Sequence, residues 1–117
     1  MIKNKSGVWG ELYTARYLRD RGYRIITSGY SCRFGEIDIV AMKGDILCFV
    51  EVKTRDEQTS SRPMEAVDTE KQEKIRLAAE SFISYSKLKN DTRFDVCEVW
   101  LGKDFALTKL NYIENAF

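Results

Sequence analysis

Apolar positions recur every three to four residues in two stretches of the chain and every second residue in several others. These periods predict the order helix, three strands, helix, two strands. Val8, Leu12, Ala15 and Leu18 form an apolar stripe on a first helix from about Ser6 to Arg21, which Gly22 stops. A first strand covers Tyr23 to Ser31. A second, from Glu36 to Lys43, alternates Ile37 and Ile39 with Glu36 and Asp38. Gly44-Asp45 reads as a two-residue hairpin turn into a third strand, Ile46 to Arg55. Residues 56–65 are polar and read as a loop. Asp68 or Thr69 caps a second helix running to about Lys87, with Ile75, Ala78, Ala79 and Phe82 as its apolar stripe. A fourth strand covers Arg93 to Leu101 and a fifth Phe105 to Ile113, with the last four residues unassigned.

Two residues cannot make a crossover, so the 36–55 hairpin is antiparallel. The third and fourth strands are joined through the second helix, so that pair is expected to be parallel and right-handed. The expected fold class is therefore α/β, with a mixed five-stranded sheet flanked by helices. A length of 117 residues holds one domain. Of these residues 44% are apolar, which is enough for a core. No run of eighteen apolar residues is present, so no membrane helix is expected, and the polar residues Met1 to Ser6 do not resemble a signal peptide.

Composition narrows the chemistry. The chain has no histidine, which excludes serine triads, Cys–His dyads and histidine-ligated zinc. Any catalysis falls to carboxylates, Lys, Arg, Tyr, Ser, Thr or Cys. Cys32, Cys48 and Cys97 are odd in number and lack C-x-x-C spacing, so reduced thiols and a cytoplasmic location are expected. Net charge is +1, but residues 1–55 carry ten Lys/Arg against six Asp/Glu. A mildly basic first half permits a polyanion partner without requiring one.

The hairpin carries the most informative pattern. With Gly44-Asp45 as the turn, Met42 faces Leu47, Val40 faces Phe49, Asp38 faces Glu51 and Glu36 faces Lys53. Two carboxylates opposite each other on a sheet lie about 5 Å apart at Cβ and repel. A divalent cation relieves that repulsion, since Mg²⁺ takes one or two carboxylates together with waters and a phosphate. A structural network in which Lys53 and Arg55 neutralise the acids relieves it equally well. Glu11 edges the apolar stripe of the first helix and needs a partner, either a metal, a basic group or solvent. Lys71 points along the core-facing stripe of the second helix, where it adds a cation near the acids or snorkels to water. Trp9, Tyr13 and Tyr17 recur at helical spacing and read as core or dimer surface before base stacking. Asp95 reads as a satisfied carboxylate beside Arg93.

Asp38 followed by Glu51-x-Lys53 resembles the half-motifs of the PD-(D/E)xK nuclease fold. Gly10-Glu11, Gly22-Tyr23, Gly35-Glu36-Ile37-Asp38, Phe49-Val50-Glu51-Val52-Lys53-Thr54-Arg55, Arg93-Phe94-Asp95-Val96 and Asn115-Ala116-Phe117 together resemble the YraN family of bacterial proteins. That family is similar to archaeal-type Holliday junction resolvases. The resemblance implies a restriction-endonuclease-like αβββαβ core and metal-dependent endonuclease activity on DNA, branched or single-stranded. It implies Asp38, Glu51, Lys53 and Glu11 as catalytic residues. Mg²⁺ or Mn²⁺ would sit on Asp38, Glu51 and the Val52 carbonyl. Arg33, Arg55 and Lys71 are candidate phosphate contacts, residues 56–63 a candidate substrate flap, and a homodimer is expected for two-strand cutting. Gly29 and Ser31 depart from the family pattern, which has Asn and a basic residue there. The alternative is a catalytically silent nucleic-acid binding or accessory protein of DNA processing.

Overall fold

The structure, a computed structural model, describes residues 4–56 and 67–117. Its elements are α1 (Lys5–Asp20), β1 (Arg24–Cys32), β2 (Gly35–Lys43), β3 (Ile46–Asp56), α2 (Thr69–Ser86), β4 (Asp91–Leu101) and β5 (Leu107–Ile113), with a short 3₁₀ turn at Lys103–Phe105. The order matches the sequence expectation. The fifth strand starts two residues late because Asp104 and Phe105 both take positive φ, which strand pairing does not allow. The expected loop and substrate flap fall mainly on residues 57–66, outside the described residues. Among the described residues no helix is long and apolar enough to cross a membrane.

Each helix is bounded by the backbone groups its caps satisfy. The Asn4 side chain accepts from the Gly7 N–H to start α1. At the other end the Gly22 N–H donates to the Arg19 carbonyl and the Tyr23 N–H to the Leu18 carbonyl. This doubly bonded C-terminal turn also delivers Tyr23 to the core. Asp68 is the cap of α2, its carboxylate accepting from the Lys71 N–H at 2.8 Å.

The five strands lie in sequence order, β1 to β5. All neighbours are antiparallel except β3 and β4, which run parallel in unbroken register from Ile46–Asp91 to Asp56–Leu101. The sheet is therefore mixed, in the αβββαβ order of a restriction-endonuclease-like core. Its two faces hold separate cores. Leu18, Ile39, Ala41, Cys48, Val50, Cys97 and Val99 pack under α1, and Val40, Met42, Leu47, Phe49, Ala78 and Phe82 pack under α2. Gly10 lets α1 settle against β3: a Cβ there would stand 2.0 Å from Thr54 Oγ1. Burial pushes the Cys48 and Cys97 thiols up to about 11, so both behave as small apolar groups. Trp9 stacks on Phe105 and Tyr17 on Tyr112, so the aromatic stripe of α1 is used in packing.

Asp95 is fully buried and fully served. It accepts from the Arg93 guanidinium at 2.9 Å, from the Tyr112 hydroxyl at 2.6 Å and from the Asn115 N–H at 2.9 Å, while Arg93 also donates to the Tyr23 hydroxyl. Three elements, β4, β5 and the C-terminal turn, meet on this one carboxylate, as the satisfied-acid reading of Asp95 expected. Burial followed by the Asp95 contact raises the Tyr112 hydroxyl far above its ordinary range, so it stays a donor. Removing one partner of a buried ion pair strands the other, at a typical cost of about 3–5 kcal/mol. Asp95→Ala is therefore expected to lower the unfolding free energy by about that amount in a urea titration, with Tyr112→Phe costing about 1 kcal/mol.

Candidate active site

The β2–β3 register follows the expected pairing through five steps, Lys43–Ile46, Met42–Leu47, Ala41–Cys48, Val40–Phe49 and Ile39–Val50, and stops there. Asp38 is the next residue. Its carboxylate, not its backbone, makes the following bond: Oδ2 accepts from the Val52 N–H at 2.8 Å. Asp38 and Glu51 are thus brought together, but by a side chain bridging the end of the ladder and not as a regular cross-strand pair. Glu36 departs further from expectation. It is in register with Ser31 of β1, not opposite Lys53.

The cause lies in β1. Ser28 lines a cleft beside α1, and its partner Ile39 packs in the α1 core. Two residues on, Tyr30 and its partner Ile37 pack on the α2 side, with the Tyr30 hydroxyl 2.7 Å from Ser81 Oγ. Side chains two apart on a regular strand share a face, so the alternation breaks between them. Gly29 lies at that break with φ +73°, a conformation open to glycine at little cost. Together with the bulge between Ile25 and Thr27, this turns the ends of β1 and β2 and frees Asp38 from the ladder.

A cleft of about 360 Å³ opens there, lined by Gly35, Glu36, Asp38, Glu51, Val52, Lys71, Lys74 and Ile75. Asp38 and Glu51 are 8% and 7% exposed. Burial pushes the Glu51 carboxyl up to about 7, the Asp38 charge adds to the rise, and Lys71 opposes it. Asp38 lies close enough for its charge to raise the proton affinity of Glu51. Lys71 Nζ stands 2.7 Å from Glu51 Oε1. Burial depresses that ammonium, while the contact with Glu51 and the charges of Glu51 and Asp38 outweigh it and raise it. Lys71 therefore reaches the acids, the first of the two alternatives its position allowed.

The other expected residues lie around this cleft. Lys53 follows Glu51 on the same face, since β3 pairs with β4 without a shift, but it is not part of the lining. Arg55 is two residues further along, half-buried. Arg33 is exposed in the β1–β2 turn, its guanidinium 4.8 Å from the Phe34 ring centre. Glu11 lines a different cleft on the α1 side, with Val8, Leu12, Ala15, Arg19 and Ser28. Lys74 was absent from the sequence expectation, although its spacing three residues after Lys71 on one helix was the available signal.

Asp38 and Glu51 suit a hard, mostly hydrated cation. Both are buried carboxylates lining the cleft, and a divalent ion would offset the repulsion by which the Asp38 charge raises Glu51. Among the described residues no group of three or more Asp, Glu, Cys or His gathers into a metal cage, so water and substrate oxygens would complete the shell.

The sequence of the uncharacterised protein family UPF0102 matches residues 10–99. A UPF0102 protein of Alkaliphilus metalliredigens is 46% identical over 112 residues, covering 95% of this chain and 96% of its own length. UPF0102 proteins of Caldanaerobacter subterraneus (42% identical, 98% and 96% covered) and Dictyoglomus turgidum (39%, both chains covered in full) are similar throughout.

Glu51 gives a pH test. Its folded value of about 7 lies above the ordinary 4.5, so the folded protein holds the proton more tightly. Stability is then highest below about pH 4.5 for this group and falls as pH rises toward 7. In EDTA the wild type is expected to lose up to about 3 kcal/mol more than Glu51→Gln between pH 5 and 7.5, read by denaturant melts. Parallel curves for the two proteins would show that Glu51 ionises freely.

Proposed function

We propose that this chain, which belongs to the UPF0102 (YraN) family, is a metal-dependent endonuclease that hydrolyses phosphodiester bonds in DNA, with branched or single-stranded DNA as substrate. The observation that carries the reading is the buried Asp38–Glu51 pair at the broken end of a strand ladder, with the Glu51 carboxyl pushed up by burial and by the Asp38 charge. A fold gains no stability from two such acids, since the second raises the cost of ionising the first. A buried carboxyl pushed up to about 7 beside a second acid marks a site where charge is handled.

In this reading Asp38 and Glu51 are the ligands of Mg²⁺ or Mn²⁺, with the Val52 carbonyl as a third. When bound, the ion supplies a water of lowered pKa and polarises the scissile phosphate. Asp38 is held in place by the Val52 N–H, so its carboxylate is oriented without a search through rotamers. Lys53 is assigned to orienting the attacking water and to the charge that builds on the phosphorane. Arg33 and Arg55 are assigned to neighbouring phosphates, which position the strand without reading its sequence. Glu11 is kept as a supporting acid on the strength of the resemblance alone. Symmetric cutting of two strands calls for a homodimer, since each chain provides one such pair.

Asp38→Asn tests the site. Asn keeps an oxygen for the Val52 N–H and removes the charge at nearly constant shape, with an amide NH₂ in place of the second oxygen. The mutant is expected to melt like wild type in EDTA, to lose the stabilisation Mn²⁺ gives wild type, and to cut nothing in a panel of four-way junction, flap, single strand, duplex and RNA. Equal Mn²⁺ stabilisation of both proteins would remove the metal reading. Lys53→Ala is expected to keep the Mn²⁺ stabilisation and to lose cleavage by at least about a hundredfold. Loss of both would make Lys53 part of the scaffold. Binding of the junction without cleavage by wild type would favour the silent binding module.

A further inference from the structure

The Lys71–Glu51 contact has a consequence for how the site is loaded. Among the described residues the cleft lining holds three carboxylates, Glu36, Asp38 and Glu51, against two ammonium groups, Lys71 and Lys74. Lys71 is the one in contact with a ligand carboxylate, at 2.7 Å, while Lys74 lies 3.5 Å from Glu70 on its own helix. It is not loosely placed. The Asp68 cap accepts the Lys71 N–H, so the first turn of α2 fixes where its side chain starts. Half of that side chain remains exposed, so the ammonium can leave Glu51 for solvent or for an anion without unpacking the core.

We infer that Lys71 competes with the divalent cation for Glu51 and thereby makes metal binding depend on a phosphodiester being present. The inference rests on the metal site proposed above. In the free protein Lys71 already satisfies Glu51, so a divalent ion must either displace that ammonium or share the carboxylate with it against repulsion. Loaded with a divalent ion, these five described side chains and the ion together carry one net positive charge. A phosphodiester carries one negative charge and closes the balance, giving Lys71 a new partner in a phosphate oxygen. Without Lys71 the loaded lining is neutral, and the phosphate brings uncompensated charge. Each ligand therefore raises the affinity of the other by the same factor, and Lys71 is the residue that couples them. It is a positioning residue in the free protein and a phosphate contact in the complex.

The test is Mn²⁺ affinity, read from the free-ion electron paramagnetic resonance signal, for wild type, Lys71→Gln and Lys71→Arg. It is run with Mn²⁺ alone and with a single-stranded phosphorothioate oligonucleotide that keeps the backbone charge and resists hydrolysis. Lys71→Gln is expected to bind Mn²⁺ alone about tenfold more tightly than wild type, because a neighbouring positive charge is gone. The oligonucleotide is expected to raise wild-type affinity, and to raise that of Lys71→Gln about tenfold less. Lys71→Arg should follow wild type. A purely structural role for Lys71 predicts the opposite for Mn²⁺ alone, since a loosened site binds more weakly. Equal or weaker binding by Lys71→Gln overturns the inference and leaves the metal site standing. If wild type and Lys71→Gln bind no more Mn²⁺ than Asp38→Asn, the metal site itself fails and the inference goes with it.

Discussion

The arrangement of the site depends on one hydrogen bond, in which a side chain takes the place of a strand. At the end of the β2–β3 ladder the Asp38 carboxylate accepts the N–H of Val52. A buried N–H left without a partner costs about 1–3 kcal/mol, so a strand cannot simply diverge from its neighbour inside a fold. Asp38 allows the divergence: β2 leaves β3, the N–H stays satisfied, and the gap becomes a cleft instead of a packed seam. The acid meeting the structural demand is also one of the two lining the cleft. Shape and chemistry at this point are consequences of the same contact.

Asp95 is the instructive contrast. It is at least as deeply buried as Asp38 and Glu51, yet Arg93, Tyr112 and Asn115 between them satisfy both of its oxygens. A carboxylate so served is part of the scaffold, tying β4, β5 and the C-terminal turn together. Asp38 and Glu51 instead lie beside each other, with the Lys71 ammonium in contact with Glu51. Burial is common to all three acids. The difference lies in where they sit: Asp95 is closed in by its donors, while Asp38 and Glu51 line a cleft.

Much of this was legible in the sequence because hydrophobic period and turn chemistry are local. The hairpin turn set the register, and five pairs follow it. What escaped was the point where the register ends, because that depends on the conformation of Gly29 in the neighbouring strand and not on the hairpin. An isolated glycine within a strand pattern is a signal for such a break, and read that way it would have separated Glu36 from Lys53. From its helical stripe Lys71 could be placed either near the acids or out in water, and the sequence left the two open. Its reach to Glu51 required knowing how α2 packs across β2, and that is set by the Phe49, Ala78 and Phe82 contacts between elements distant in sequence. Phe105 was read as strand because nothing in its side chain announces a positive φ.

The parallel seam between β3 and β4 bears on the order of assembly. Strand partners within β1–β2–β3 and within β4–β5 are at most 18 residues apart, as Arg24 and Met42 are. Every pair across the seam, such as Ile46 with Asp91, is 45 apart. The hairpins therefore close over short loops and the seam over a long one, so nucleation is expected in the local pairs and the seam sets the pace. The hairpin that brings two acids together is among the early structures. The helix carrying the ammonium that relieves them docks later, so their repulsion is felt first in the rate at which the chain folds.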